Sequence, residues 1–200
     1  GFGDPNDPPL LLVMGLSAQM VLWPEAFCRA LAARGFYVVR FDNRDVGRST
    51  KLHGAGVPRL LPRFAARAAG LPVTAPYTLS DMAKDVVGLM DGLGFDAAHV
   101  VGMSMGGMIA QTLAIEHPHR LHSLVSLGSS TADRGLPLAS SAAARALLSA
   151  PPREREAAIR HSVGVLRAIS SPVHFDEANA RAVVELSISR STYRLGAARQ

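Results

Sequence analysis

Residues Gly102-Met103-Ser104-Met105-Gly106, followed by Gly107, spell G-x-S-x-G. An apolar run, Ala97-Ala98-His99-Val100-Val101, leads in, and Met108-Ile109-Ala110-Gln111-Thr112-Leu113-Ala114-Ile115 leads out. The first segment is short and β-branched like a strand, and the second continues as a helix. The pattern therefore falls on a sharp strand-to-helix turn. Such a turn holds its serine in a strained conformation with the hydroxyl exposed above a sheet. Glycines on both sides let the backbone approach itself closely enough for this. A phosphate-binding glycine loop is excluded, since neither G-x-G-x-x-G nor Gly-Lys-Ser/Thr occurs.

The rest of the chain fits around that turn. Pro9-Leu10-Leu11-Leu12-Val13-Met14 is a continuous apolar run of the length of a buried parallel strand. Pro24 to Arg34 reads as a helix with Gly35 past its end. Phe36 to Phe41 is a second strand, and Asp42 to Lys51 a polar loop. A helix begins at Ser80, read as its N-cap, and stops at Gly94, with Met82, Val86, Leu89, Met90 and Leu93 at helical spacing. After the Ser104 helix, Pro118 blocks continuation and Leu121 to Leu127 forms a fourth strand. The alternation of strands and helices predicts an α/β protein with a mostly parallel sheet. Leu52 to Tyr77, rich in proline and glycine, reads either as a surface excursion over a site mouth or as a solvated linker. Beyond Gly128 no strand pattern remains. Three helical segments are expected, Leu138 to Ser149, Arg153 to Ile169 and Asp176 to Tyr193. The expected division is a core over 1–128 and a helical cap over 129–200.

Composition narrows the function. With 48% hydrophobic and 18% charged residues the chain can bury a sizeable core. The net charge of +5 is dispersed; no basic run marks a nucleic-acid partner. Only Lys51 and Lys84 are lysines, and arginine dominates, as in GC-rich bacterial coding sequences. No apolar stretch reaches the ~20 residues of a membrane span. The opening Gly1-Phe2-Gly3-Asp4-Pro5 lacks a signal-peptide pattern and an initiator methionine, so the expectation is a cytoplasmic protein whose visible part begins inside a longer chain. Cys28 is the single cysteine, which excludes an internal disulfide and reads as a buried inert thiol.

A serine nucleophile needs donors for the oxyanion of its tetrahedral intermediate. One candidate is the backbone N–H of Met105, at the positive end of the following helix. The other comes from the loop after the first strand, Met14-Gly15-Leu16-Ser17-Ala18-Gln19-Met20, where the Leu16 N–H is the candidate. Trp23 either packs the first helix on the sheet or lines a pocket. Met103 flanks the serine and is a candidate substrate contact. No metal-ligand cluster is visible and no cofactor is required.

Three segments carry a resemblance to the α/β-hydrolase superfamily, and within it to the cap-bearing serine esterases typified by aclacinomycin methylesterase. These are Leu11-Leu12-Val13-Met14-Gly15, where many members have His-Gly; Asp42-Asn43-Arg44-Asp45-Val46-Gly47-Arg48-Ser49, similar to D-x-R-G-x-G-x-S; and Val100 to Gly107. Met14 departs from the common histidine, which leaves a backbone donor at Leu16 unaffected. The resemblance implies an α/β-hydrolase fold and hydrolysis of a small apolar carboxylic ester through an acyl-enzyme on Ser104. Epoxide hydrolases and haloalkane dehalogenases share the resemblance but use Asp as nucleophile, and Ser104 argues against them. The resemblance also implies an acid and a histidine later in the chain. His53, His99, His117, His119, His122, His161 and His174 all read as structural or solvated. Asp133 is a weak candidate for the acid, and Asp176 and Glu177 read as helix caps. Asp42 and Arg44 are expected to hold their loop by hydrogen bonds and an ion pair. The resulting expectation is an N-terminal and central fragment, inactive alone, with acid and base beyond it and an unpaired apolar sheet edge at Leu121 to Leu127 that favours aggregation. The alternative is a non-catalytic binding or receptor protein of the same fold.

Overall fold

The computed structural model describes residues 1–56, 75–131, 133, 136 and 140–200. Four parallel strands form one sheet in the order β2-β1-β3-β4: β1 (Pro9–Val13), β2 (Tyr37–Arg40), β3 (Ala98–Met103) and β4 (Leu121–Leu127). Residues Leu10 to Val13 of β1 are all buried, as a central strand covered on both faces requires. Helix α1 (Glu25–Ala32) follows β1, α2 (Leu79–Leu93) precedes β3, and α3 (Met105–Glu116) joins β3 to β4.

Alternation along the strands builds two cores. Leu11, Val13 and Val100 pack with Met82, Val86 and Met90 of α2 and Ile109 and Leu113 of α3. Leu10, Leu12, Val38 and Val101 pack with Trp23 and with Cys28 of α1. Burial pushes the Cys28 thiol up, consistent with an inert packing role. On the outer edge of β2, Phe2 and Val38 exchange two backbone hydrogen bonds of 2.9 Å. At the other edge, β4 pairs only with β3 among the described residues. Leu124 and Val125 there are 37% and 45% exposed, the apolar edge expected from the sequence.

Helix α2 starts two residues earlier than a Ser80 cap would have it. Its N-cap is Thr78, whose hydroxyl accepts from Asp81 N–H while the Asp81 carboxylate accepts from Thr78 N–H. This reciprocal box satisfies two otherwise orphaned donors, and a serine inside the first turn cannot compete with it. Gly94 closes the helix in the left-handed conformation.

Contacts divide the chain into Gly1–Thr131 with Tyr193–Gln200, and Ala132–Thr192. The second unit holds α4 (Ser141–Leu148), α5 (Arg155–Ile169) and α6 (Glu177–Arg190). Its own core is Ile159, Val163, Ala180 and Val184. Ser140 and Asp176 cap their helices through side-chain oxygens. The boundary differs from the one expected at residues 128 and 200. Residues 193–200, placed by sequence with the cap, belong to the first unit, where the short helix α7 (Arg194–Ala197) sits. Most of the Leu52 to Tyr77 excursion, residues 57–74, lies outside the described residues. No described helix is long and apolar enough to cross a membrane.

Replacing Thr78 by Ala removes half of the capping box. The expected cost is about 1 kcal/mol, read as a lower urea midpoint with an unchanged denaturant slope.

Candidate active site

The carboxyl ends of β1, β3 and β4 converge. Val13 is in register with Gly102, and Met103 with Leu127. In open α/β sheets ligands bind just outside these ends. Ser104 follows β3 directly and is the N-cap of α3. Its backbone lies at φ 54°, ψ −122°, a conformation that an L-residue rarely adopts. Ser104 N–H donates to Leu127 O at 2.9 Å, and Gly107 N–H donates to Ser104 O at 2.9 Å. The serine is half-buried, not sunk in the core.

Two glycines make this turn possible. A β-carbon on Gly102 would fall 2.3 Å from Gly106 O, and one on Gly106 would fall 2.2 Å from Val13 O. Both obstacles are backbone, so no rotamer change relieves them. The helix start therefore presses directly on β1 and on the end of β3. The N–H groups of Met105 and Gly106, at the head of α3, have no acceptor within the helix. They give this end of α3 partial positive charge beside the serine.

The loop after β1 meets the serine from the other side. A β-carbon on Gly15 would lie 3.0 Å from Ser104 Cβ and 3.5 Å from its Oγ. Leu16 is the next residue and is half-buried. Ala18 N–H closes a turn onto Gly15 O at 3.2 Å, with Ser17 at φ 57°. The structure thus brings Gly15 against Ser104, with Met105 next in the chain after the serine and Leu16 next after Gly15. Met103 is half-buried on the same side as the Trp23 cluster, its Sδ 3.7 Å from where a β-carbon on Gly128 would stand. Trp23 is only 4% exposed and stacks on Phe27 at 5.7 Å. Packing is the role this supports; a pocket-wall role has little of the ring to use.

A polar loop braces the Gly15 turn. Asp42 accepts from Met20 N–H at 2.8 Å and from Arg48 N–H at 3.0 Å. The Asn43 amide donates to Met14 O at 2.9 Å. Arg44 holds the loop by an ion pair, as the sequence suggested, with its partner outside the loop. It makes a two-point ion pair with Asp85 of α2, at 2.5 and 2.7 Å, which ties the loop to the sheet's helical layer. Lys51 donates to the carbonyls of Val46, Gly47 and Ser49. Asp45, at φ 65°, is paired with Arg199, whose Nη1 lies 3.0 Å from each carboxylate oxygen. Both side chains are at most 1% exposed. Burial pushes the Asp45 carboxyl up, but the Leu52 N–H and the Arg199 guanidinium outweigh it and hold the group below its ordinary 3.8. Burial, then the Asp45 charge, pushes the Tyr77 phenol well up.

None of the seven histidines hydrogen-bonds Ser104 among the described residues. His53 meets Tyr193 Oη at 3.3 Å, His99 meets Ser123 Oγ at 2.8 Å, and His161 meets Ser149 Oγ at 2.8 Å. Asp133 falls in the second unit. No described group of three or more His, Cys, Asp or Glu is arranged to hold a metal ion. Sequence reasoning did not single out Arg199 and Gln200. Asp45, Ser17 and Arg44, which they hold, lie over 150 positions away, and the one available signal was Asp45 inside the D-N-R-D-V-G-R-S loop.

A parallel sheet carrying a serine on a tight strand-to-helix turn is the arrangement of a hydrolase-class α/β protein. A family model described as the alpha/beta hydrolase fold matches residues 8–186, and the chain belongs to that family. It is 40% identical over 124 residues to rhodomycin D methylesterase DnrP of Streptomyces peucetius, a match covering 62% of this chain and 36% of that protein. A hydrolase from Pseudomonas aeruginosa shares 25% identity at a TM-score of 0.59, over 98% of this chain and 63% of that one. A 2-hydroxy-6-oxo-6-phenylhexa-2,4-dienoate hydrolase from a Rhodococcus species shares the fold, with a TM-score of 0.68 and 22% identity over 98% of this chain and 64% of that one. The chain thus spans under two thirds of the length of these relatives.

Asp45→Ala would leave the Arg199 guanidinium buried without its carboxylate. The expected fall in melting temperature is roughly 10 °C. Because the Asp45 pKa is depressed on folding, its contribution is present above the unfolded value of about 4 and is lost as pH falls through the folded value. Thermal melts from pH 7 to pH 3 should show the wild type converging on the variant only at the acid end.

Proposed function

We propose that the chain carries the nucleophile half of a serine esterase. Ser104 attacks the carbonyl carbon of a carboxylic ester, and the Leu16 and Met105 N–H groups receive the developing oxyanion. The alcohol leaves, an acyl-enzyme forms on Ser104 Oγ, and water releases the acid. The proton acceptor is a histidine, oriented by an acid, supplied outside these 200 residues. The observation that carries this reading is the positive-φ serine at the head of α3 with Gly15 packed against it. The 40% identical relative is named a methylesterase, and from that name only the ester class is taken for this chain. The helical second unit is read as a cap that selects a small apolar ester. The reading includes no cofactor and no nucleic-acid or membrane partner, and a cytoplasmic location.

A second reading, a non-catalytic binding protein of the same fold, is favoured by one observation. No described side chain hydrogen-bonds the Ser104 hydroxyl.

One pair of variants separates the two. In the full-length natural polypeptide, Ser104→Ala and Ser104→Gly are both expected to abolish covalent labelling by a fluorophosphonate and hydrolysis of p-nitrophenyl esters. Ser104→Gly also removes the strain of a β-carbon at positive φ. It should raise the melting temperature by about 2–4 °C, the equivalent of roughly 1 kcal/mol. A wild-type polypeptide that stays intact and unlabelled would establish the binding reading instead.

A further inference from the structure

We infer that Gln200 is a positioning residue for the oxyanion turn, acting on Leu16 through the peptide that follows it. The inference rests on the reading of Leu16 as an oxyanion donor.

The Gly15–Ala18 turn carries a non-glycine residue, Ser17, at φ 57°. Such a residue persists only where its surroundings over-determine it. Asn43 and Asp42 fasten the chain on either side, at Met14 O and Met20 N–H, but neither touches the turn itself. The turn's own Ser17 N–H donates to Gln200 Oε1 at 2.7 Å. The other end of the same amide, Gln200 Nε2, donates to Arg44 O at 2.8 Å. One side chain therefore bridges the oxyanion loop and the Asp42–Lys51 loop. The bridge uses one acceptor and one donor, and among uncharged side chains of this length only an amide offers both. The two partners also fix which way the amide faces, since a backbone N–H needs the oxygen and a carbonyl needs the nitrogen.

Gln200 is itself held. Its N–H donates to Gly196 O at 3.2 Å. The preceding Arg199 is locked onto Asp45, and donates to Ala55 O at 3.1 Å. A β-carbon on Gly196 would stand 2.1 Å from Asp45 O, so α7 lies directly on this loop. The peptide between Leu16 and Ser17 is thus fixed from the C-terminal segment. Gly15, whose peptide with Leu16 bears the candidate donor, packs its α-carbon against Ser104. Only the rotations at Leu16 separate the two planes. Releasing the first frees the second to turn its N–H away from the oxyanion.

The test uses Gln200→Met, of similar length without the amide, in the full-length natural polypeptide. Relative to wild type, kcat for p-nitrophenyl butyrate is expected to fall about 10–100-fold, less than loss of an entire oxyanion donor, with KM within about twofold. Affinity for a trifluoromethyl ketone, which binds as a tetrahedral adduct, should fall in parallel with kcat. A merely structural role would lower stability and active fraction while leaving kcat per titrated Ser104 unchanged. Gln200→Glu keeps an acceptor for Ser17 N–H and should recover part of the loss. Hydrogen exchange supplies a readout independent of turnover: the Ser17 amide should exchange at least about tenfold faster in Gln200→Met, with β1 amides unchanged. Unchanged kcat in Gln200→Met, or an unchanged Ser17 amide, overturns the positioning role while Ser104→Ala still abolishes activity. Retained hydrolysis in Ser104→Ala overturns instead the reading on which it rests.

Discussion

The rest of the molecule depends on one steric contact, the start of α3 driven against β1 with no side chain between them. Gly106 touches the Val13 carbonyl and Gly102 touches Gly106. Any β-carbon there would push the helix off the sheet. Because the approach is so close, the chain must reverse direction within a single residue, and Ser104 takes the positive-φ conformation that results. That strain is of order 1–3 kcal/mol. It is carried by the sheet register and by the bonds from Ser104 N–H to Leu127 and from Gly107 N–H to Ser104. The same geometry leaves the hydroxyl half-exposed at the head of a helix dipole, which ties the local strain to the site.

A second constraint acts from the loop side. The Asp42–Lys51 segment has no secondary structure of its own, yet Asp42, Asn43 and Asp45 are all buried. Buried polar groups must be satisfied, and here their partners include the backbone of the loop after β1, at Met14 and Met20, and the distant Arg199. A fully buried ion pair such as Asp45–Arg199 gains little net stability over a well-packed apolar pair, because desolvation offsets the attraction. Its effect is directional. It fastens residues 193–200 to this loop, next to Gln200.

Much of this was legible in the residues. The strands follow from continuous or β-branched apolar runs, and the turn at Ser104 from glycines flanking a serine between such a run and a helix. The misplacements have physical causes. Ser80 and Thr78 are both good capping residues, and only the reciprocal bond with Asp81 chooses between them. The amphipathic patterning of the last 70 residues says nothing of where the chain returns to the sheet unit, since that return is fixed by a few polar contacts rather than by an apolar stripe. Among the described residues none of the seven histidines meets the Ser104 hydroxyl, and their sequence contexts, loop, strand and helix cap, carry no mark that would single one out.

The Asp45–Arg199 contact joins residues 154 positions apart. During synthesis at about 5–20 residues per second, Asp45 emerges roughly 8–30 s before its counterion exists. Throughout that interval the nascent loop has a solvated carboxylate where the finished protein has a buried one, and the turn beside Ser104 lacks the amide that bridges it. The first 131 residues can collapse around their apolar strands in that time. The turn after β1 gains its Gln200 bridge only once residue 200 has been made, long after the strands that surround it.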